Sequence, residues 1–236
     1  MSNVSQVLSA NDIQDVTSTK QQDFGTVART ADGRKFRYGK AGGVALAAGK
    51  LVVAADADAN VVNKVVTAAA KIGAKQVQLT AGGSVTADAY AGGFLQVNDA
   101  TGEGYTYGIV GNTGGTNIVV TLADPIQKAL VASTSEVSLY KHECDGVVIS
   151  AVDQADLPVG VPVSDIPANS FGWFQVYGMA AVLADEAVTR GQSLTIGTGT
   201  AGAVEAADLI GEPQVGVAAQ ALIDTEYSPV FLTINS

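Results

Sequence analysis

The chain has 236 residues, of which 47% are hydrophobic and only 15% are charged, and its formal net charge is −10. This length suffices for one large domain or two small ones, and the abundance of glycine (27 residues), together with Ala, Val and Thr, is typical of short strands and tight turns. The single cysteine, Cys144, excludes an internal disulfide. There is also a single histidine, His142, so the chain cannot form a His-rich zinc site or a CxxC pair.

Charge is distributed unevenly along the chain. Ten of the 13 Lys and Arg residues lie within positions 1–75, whereas most Asp and Glu residues follow position 75. The acidic remainder is expected to repel nucleic acid, so we expect no nucleic-acid partner. The first 25 residues lack the basic start and apolar run of a secretory signal, and no stretch approaches 18 uninterrupted apolar residues, so we expect an unexported protein with no membrane partner.

The first elements in chain order are an arm and a series of hairpins. Residues 1–25 are polar and lack a sustained period, which predicts an extended N-terminal arm that is ordered only against another surface. The Asp32–Gly33 turn then predicts a β-hairpin. Apolar residues at 61–72 have helical spacing, but their β-branched side chains favour a strand. Regular alternation over 76–122, with turns every 8 to 12 residues, predicts a meander of half-buried strands.

Beyond the meander the segment DPIQKALVAST (124–134) predicts one short helix, with Asp124 as N-cap and Pro125 at the first helical position. Pro158 and Pro162 predict that the segment around them is an edge strand or an extended loop. The pattern as a whole predicts a mainly β fold of β-sandwich or β-barrel domains, with Gly-rich turns and at most one or two short helices. We expect an arm over 1–25, a β domain over 26–140 and a second β domain over 141–236 packed closely on the first.

One motif is typical of a dinucleotide site, because Gly197, Gly199 and Gly202 have the G-x-G-x-x-G spacing. Such a turn must open a long helix, and here only 203–210 could be helical before Gly211 and Pro213 intervene. The sequence therefore favours two β-strands joined by a Gly/Thr turn, and we expect no cofactor.

Two other groups of residues have the types and spacing of a chemical site. His142 and Cys144 would share a strand face, as a nucleophile pair requires, but no third orienting group is identifiable. Asp56, Asp58 and Asn60 match the first ligand positions of an EF-hand loop, yet its glycine and final glutamate are missing. We therefore expect no catalytic residue and no metal site, and hence no enzymatic activity.

The densest aromatic stretch runs from Phe171 to Tyr177. On a strand, Trp173 and Tyr177 share one face, whereas Phe174 lies on the other. One face can then fill the core while the other is available at an interface or as a sugar platform, and both assignments remain open. As a hypothesis we place Trp173 and Tyr177 at an oligomer interface.

Three long stretches of the chain resemble virion structural proteins of tailed bacteriophages, and the nearest type is the head decoration, or cement, protein. These stretches are TADAYAGGFLQVNDATGEGYTYGIVGN, EVSLYKHECDGVVISAVDQADLPVGVPVSDIPANSFGWFQVYGMAAVLAD and AVTRGQSLTIGTGTAGAVEAADLIGEPQVGVAAQALIDTEYSPVFLTI. The resemblance implies a β-rich, non-enzymatic protein that is made in the host cytoplasm and binds the major capsid protein on the capsid exterior. It also implies a homo-trimer that stabilises the head.

The basic cluster near the N-terminus is the predicted capsid-docking surface. We expect docking contacts from Arg29, Arg34, Lys35, Arg37 and Tyr38, with the arm adding backbone pairing to a neighbour. The alternative functions are another virion component, such as a tail or fibre subunit, and a carbohydrate-binding surface β module.

Overall fold

The computed structural model describes residues 6–234. Two compact units divide the chain. The inserted unit is Asp56–His142, and the discontinuous unit takes the residues up to Ala55 together with those from Glu143 onward. This grouping differs from the predicted domains over 26–140 and 141–236, because residues 26–55 belong with the C-terminal part of the chain.

The described residues are almost entirely strand and turn, which confirms the mainly β fold class. The only helical element among them is a single 3-10 turn, Asp12–Gln14. The strands in chain order are β1 (Gln6–Val7), β2 (Val27–Arg29), β3 (Lys35–Ala41), β4 (Val52–Val53), β5 (Lys64–Val65), β6 (Gln76–Val85), β7 (Phe94–Asp99), β8 (Thr106–Asn112), β9 (Gly115–Leu122), β10 (Glu136–Tyr140), β11 (Asp145–Ile149), β12 (Pro158–Pro162), β13 (Phe171–Leu183), β14 (Ser193–Ile196), β15 (Val204–Ala206), β16 (Gly216–Ala218) and β17 (Tyr227–Thr233). Residues 6–234 include no helix with the length and hydrophobicity needed to cross a membrane.

The inserted unit is a six-stranded antiparallel sheet in the order β5-β10-β7-β8-β9-β6. A bridge between Val66 and Leu79 joins the chain after β5 to β6, so the sheet closes on itself. The alternation in β6 places Val77 and Leu79 in the core, as the sequence predicted. Closure leaves the longer strands with neighbours on both sides and encloses a single apolar core.

The discontinuous unit contains a five-stranded ring, β3-β11-β4-β12-β13, which closes because β13 also pairs with β3. Each of the five strands contributes a buried side chain to one cluster, and these are Ala41, Val52, Val147, Val159 and Phe174. β12 therefore has a partner on each side, β4 and β13, and the predicted edge strand is wrong. The prolines are tolerated because they occupy the two ends of β12, and the pairing with β4 shifts register between Pro158 and Gly160.

The second half of β13 begins another sheet, which continues in the order β17-β16-β14-β15. A parallel bridge between Ala184 and Val204 returns β15 to the end of β13 and closes this sheet as well. Its core includes Val182, Leu194 and Leu232, all fully buried. The thirteen-residue β13 is therefore shared by two closed sheets, which fixes both halves of the strand.

The described part of the predicted arm packs on its own unit. β1 pairs with β2, and Thr17 exchanges two backbone hydrogen bonds with Phe171, at 2.8 and 3.0 Å. Ile13 is buried, and the ring of Phe24 stacks on Phe171 with centroids 6.3 Å apart. These apolar anchors are spaced too irregularly to form a periodic pattern, which is why the sequence indicated an arm ordered only by a partner. Residues 1–5 lie outside the described part of the chain.

The short helix predicted at 124–134 is wrong, because this segment is extended and turn-like. Ile126 and Leu130 are both buried, and their backbone amides donate to Ala74 and Ala70 across the gap between the two segments. Anchoring both side chains in the core of the inserted unit outweighs the local preference for a helix start at Asp124.

Candidate docking surface

The predicted hairpin around Asp32–Gly33 is confirmed, and it presents a pair of cations. β2 and β3 are antiparallel, and Arg29 lies directly opposite Lys35. Arg29 is exposed and Lys35 is half-buried, with its ammonium 4.7 Å from the centre of the Tyr177 ring. Like charges that face each other across a strand pair are destabilising in isolation. The hairpin (Val27–Ala41), called here the cationic hairpin, therefore concentrates positive charge in a chain whose net charge is −10.

The turn of the cationic hairpin is held by its own side chains. The Thr30 hydroxyl donates to Asp32, and the guanidinium of Arg34 donates to the same carboxylate with an Nε–Oδ2 distance of 2.8 Å. These hydrogen bonds, first of all that from the Thr30 hydroxyl, lower the pKa of Asp32 below its ordinary value. Gly33 has a φ of +88°, the left-handed conformation that this turn requires. The Arg34 side chain and the backbone of Arg29 and Lys35 are therefore held in place by contacts within the chain.

Three of the seven residues predicted to contact the capsid or another subunit are buried or largely covered within the chain. Tyr38 and Trp173 are only 3% and 6% exposed, and their rings meet edge to face with centroids 5.2 Å apart. The Tyr38 hydroxyl also accepts a hydrogen bond from the Gln21 amide at 3.0 Å. Arg37 forms an ion pair with Glu143, with an Nη2–Oε1 distance of 2.9 Å, and its side chain is largely covered. Because Tyr38 and Trp173 are buried and the Arg37 side chain is only 20% exposed, we leave these three residues out of the candidate surface.

Next to the cationic hairpin lies an apolar groove of about 670 Å³ that the sequence analysis did not identify. Its walls include the outward residues of β13 and β17, and among them Met179 is 48% exposed and Tyr227 is 54% exposed. Arg34 lines the groove at the side of the hairpin. Gly178 permits this approach, because a Cβ there would lie 3.0 Å from Arg34 Cγ. The sequence of β17, YSPVFLT, predicts a strand, but both of its faces carry apolar side chains. The alternation therefore could not show which face is exposed.

The structure brings together Arg29, Arg34, Lys35 and Tyr177 from the predicted sets. The Tyr177 ring packs edge to face on Phe231 with centroids 5.2 Å apart, and the Lys35 ammonium lies over the same ring, so Tyr177 is only partly exposed. The arrangement places cations on a hydrogen-bonded strand pair beside the apolar groove. Such a surface suits an acidic protein partner with apolar side chains.

The G-x-G-x-x-G segment is the predicted turn between two strands, since β14 and β15 pair on either side of it. The Thr198 amide donates to Glu205 at 2.9 Å, and the Gly199 amide donates to Asp185. The amides that would hold a phosphate are therefore engaged by carboxylates of the chain itself.

The other two candidate groups also have structural partners. Asp58 accepts hydrogen bonds from the Asn60 amide at 2.9 Å and from the Tyr90 hydroxyl at 3.1 Å, and the Asn60 amide is the main cause of its lowered pKa. Burial raises the pKa of the Cys144 thiol to about 12, so the thiol is neutral at physiological pH. The ring of His142 stacks on Phe94 with centroids 6.2 Å apart.

Comparison of the chain with protein-family models, with curated proteins and with solved structures finds no match.

Proposed function

We propose that this protein is a bacteriophage capsid decoration protein that binds the outer surface of the major-capsid lattice through its cationic hairpin and so stabilises the head. The observation that carries the proposal is the like-charged pair Arg29 and Lys35 in a chain of net charge −10. The two residues lie opposite each other on β2 and β3, and β3 belongs to the five-stranded ring. The resemblance to cement proteins supplies the identity of the partner.

The rigidity of the hairpin supports a docking role. β3 pairs with β2, β11 and β13, so its residues cannot move without opening the five-stranded ring. A preorganised surface loses little conformational freedom on binding, and complementary charge speeds encounter and fixes orientation. An acidic lattice surface would also relieve the repulsion between Arg29 and Lys35, which the unbound protein bears.

Stabilisation of the head follows from mass action. A protein that binds only the intact lattice shifts the equilibrium toward that lattice, and the effect is repeated at every site. The acidic remainder of the decoration protein would limit its association away from the capsid.

The test is a titration of undecorated capsids with the full-length protein, which measures bound protein by sedimentation and the melting temperature of the shell. We expect saturable binding and a raised melting temperature. The variant R29E/K35E is expected to bind at least about tenfold more weakly at low salt, with the difference shrinking as salt increases. The control K71E/K128E makes the same change in net charge at exposed positions of the inserted unit and is expected to bind like the parent protein.

Two outcomes would contradict the proposal. Equal binding of R29E/K35E and its control would remove the cationic hairpin from the interface. Absence of capsid binding by the parent protein, together with a specific signal on a glycan array, would favour a carbohydrate-binding module instead, and binding to purified tails or fibres would favour another virion component.

A further inference from the structure

Part of one edge of β13 has no strand beside it where it borders the apolar groove. Residues Met179–Ala181 pair with β17 on one side, and no segment within residues 6–234 pairs with them on the other. Before this gap, Tyr177 has β17 on one side and Lys35 of the cationic hairpin on the other. After it, the Leu183 amide donates to the Gly49 carbonyl at 3.0 Å. The unpaired stretch Met179–Ala181 is called here the open edge.

The backbone groups of Met179 and Ala181 point away from β17, toward the open side. In an antiparallel ladder, alternate residues direct their N–H and C=O groups to opposite neighbours. The Ala184 amide donates at 2.9 Å to the carbonyl of Glu226, directly before β17, whereas the Leu183 amide donates away from β17. The register with β17 is unbroken over this stretch, so Met179 and Ala181 share the direction of Leu183.

The open edge therefore presents backbone groups without partners. The amides of Met179 and Ala181 and the Ala181 carbonyl form no hydrogen bond within residues 6–234. The Met179 carbonyl is engaged, because the buried side-chain amide of Gln175 donates to it at 2.8 Å. An unpaired edge of this kind is a template for another extended segment. The two amides are two residues apart, about 7 Å along the strand, which is the repeat of a β-ladder.

The apolar groove lies beside the open edge and offers contacts for the side chains of an added strand. All three residues of the open edge line it, together with Tyr227 and Pro229 of β17. Side chains of a strand alternate between its two faces, so every second side chain of the added strand would contact these apolar residues. An extended peptide with apolar side chains at alternate positions satisfies both the backbone and the groove.

We propose that the open edge binds an extended segment of the major capsid protein as an additional β-strand, whose apolar side chains enter the apolar groove. The partner is taken from the proposed function, on which the open-edge contact rests. Lys35 pairs with Tyr177, two residues before Met179, so a partner seated on the cationic hairpin reaches the open edge within about 7 Å. The added strand would fill the gap in pairing between Lys35 and Gly49, and its main-chain hydrogen bonds would supply affinity.

Hydrogen exchange of the full-length protein, free and bound to undecorated capsids, measures this pairing at the backbone. The amides of Met179 and Ala181 are expected to exchange at least about tenfold more slowly on capsids. The Ala180 amide bonds to β17 in the free protein already, so it is the internal reference and is expected to change by no more than about twofold.

Two substitutions at one position test the same amide by capsid titration. Ala181→Pro removes an amide that faces the groove and leaves the ladder with β17 intact, so it is expected to weaken capsid binding at least about tenfold. The matched control Ala181→Ser keeps the amide and is expected to bind within about twofold of the parent protein. Thermal unfolding shows whether both variants are folded, and if A181P is not, the exchange measurement decides.

The outcomes separate the open edge from the cationic hairpin. Capsid binding with unchanged exchange at Met179 and Ala181 would overturn the open-edge contact and leave the hairpin proposal standing, as would equal binding of folded A181P and A181S. Slower exchange at these amides that depends on protein concentration, without capsids, would assign the open edge to a second copy of the chain and also overturn the proposal. Absence of capsid binding by the parent protein would contradict the proposed function, and the open-edge contact with it.

Discussion

Substitution of Gly39 by alanine tests the packing at the closure of the five-stranded ring. Gly39 lies on β3, opposite Gly172 on β13, and a Cβ at this position would lie 2.5 Å from the carbonyl oxygen of Cys144 and even closer to the ring of Phe174. The carbonyl belongs to the backbone turn directly before β11, and it accepts a hydrogen bond from the Lys40 amide at 2.8 Å, so it cannot rotate away. Alanine is therefore expected to push β3 and β11 apart, although it adds only one methyl group.

The size of the effect follows from two opposing contributions. Replacing glycine by alanine stabilises a chain by about 0.4–1 kcal/mol through the unfolded state when the backbone conformation allows it. Overpacking a rigid core costs about 1–3 kcal/mol, and contact with backbone places Gly39 at the upper end of that range. The net loss is about 2 kcal/mol, which corresponds to a fall in melting temperature of about 4–8 °C for a unit of this size.

The assay is thermal unfolding followed by tryptophan fluorescence. Trp173 is the single tryptophan and lies in the discontinuous unit, so its emission reports the unfolding of that unit alone. The matched control is Gly43→Ala, where a Cβ would have no heavy atom within 4 Å, and it is expected to leave the melting temperature unchanged or slightly raised. Equal melting temperatures for the two variants would refute the packing argument, whereas a smaller loss for G39A in a Phe174→Leu background would support it.

Two further predictions follow from burial and topology. The pKa of Cys144 is raised to about 12, whereas an unfolded thiol ionises near 9.0, so the unfolded chain binds fewer protons between these pH values and the free energy of unfolding falls as pH rises through this window. Between pH 8 and pH 10.5, chemical denaturation is expected to show a smaller fall in the free energy of unfolding for C144A than for the parent protein. An equal fall would contradict the raised pKa. Val53 on β4 pairs with Val148 on β11, so the strands that flank the insertion are neighbours. A short linker can therefore join them, and replacing Asp56–His142 by six Gly/Ser residues is expected to leave the discontinuous unit folded, with unchanged Trp173 emission. Loss of a cooperative thermal transition in that variant would show that the discontinuous unit does not fold alone.

Local patterns were sufficient for much of the strand content. The Asp32–Gly33 turn, the alternation at Val77 and Leu79, and the glycine turn between β14 and β15 each depend on residues close together in the chain. At Asp124 and Pro125 the local sequence favours a helix start, but no helix forms. Ile126 and Leu130 instead pack in the core of the inserted unit against residues far away in the chain. Local patterns were also insufficient for the contact residues. The Tyr38 hydroxyl suggests a surface residue, but in the fold it accepts a hydrogen bond from the Gln21 amide.

The sequence by itself determined that this chain is built of short strands, where many of its turns fall, and that its positive charge is concentrated near Arg34. Only the tertiary structure decided which strands are neighbours, that β3 and β13 close a ring across about 130 positions of sequence, and that Asp56–His142 is a separate insertion. It also decided that Met179 and Ile210 face water while Trp173 does not. The physical reason is that alternation reports which residues share a face of a strand, whereas the partner that covers that face is chosen by burial among segments far apart in the chain.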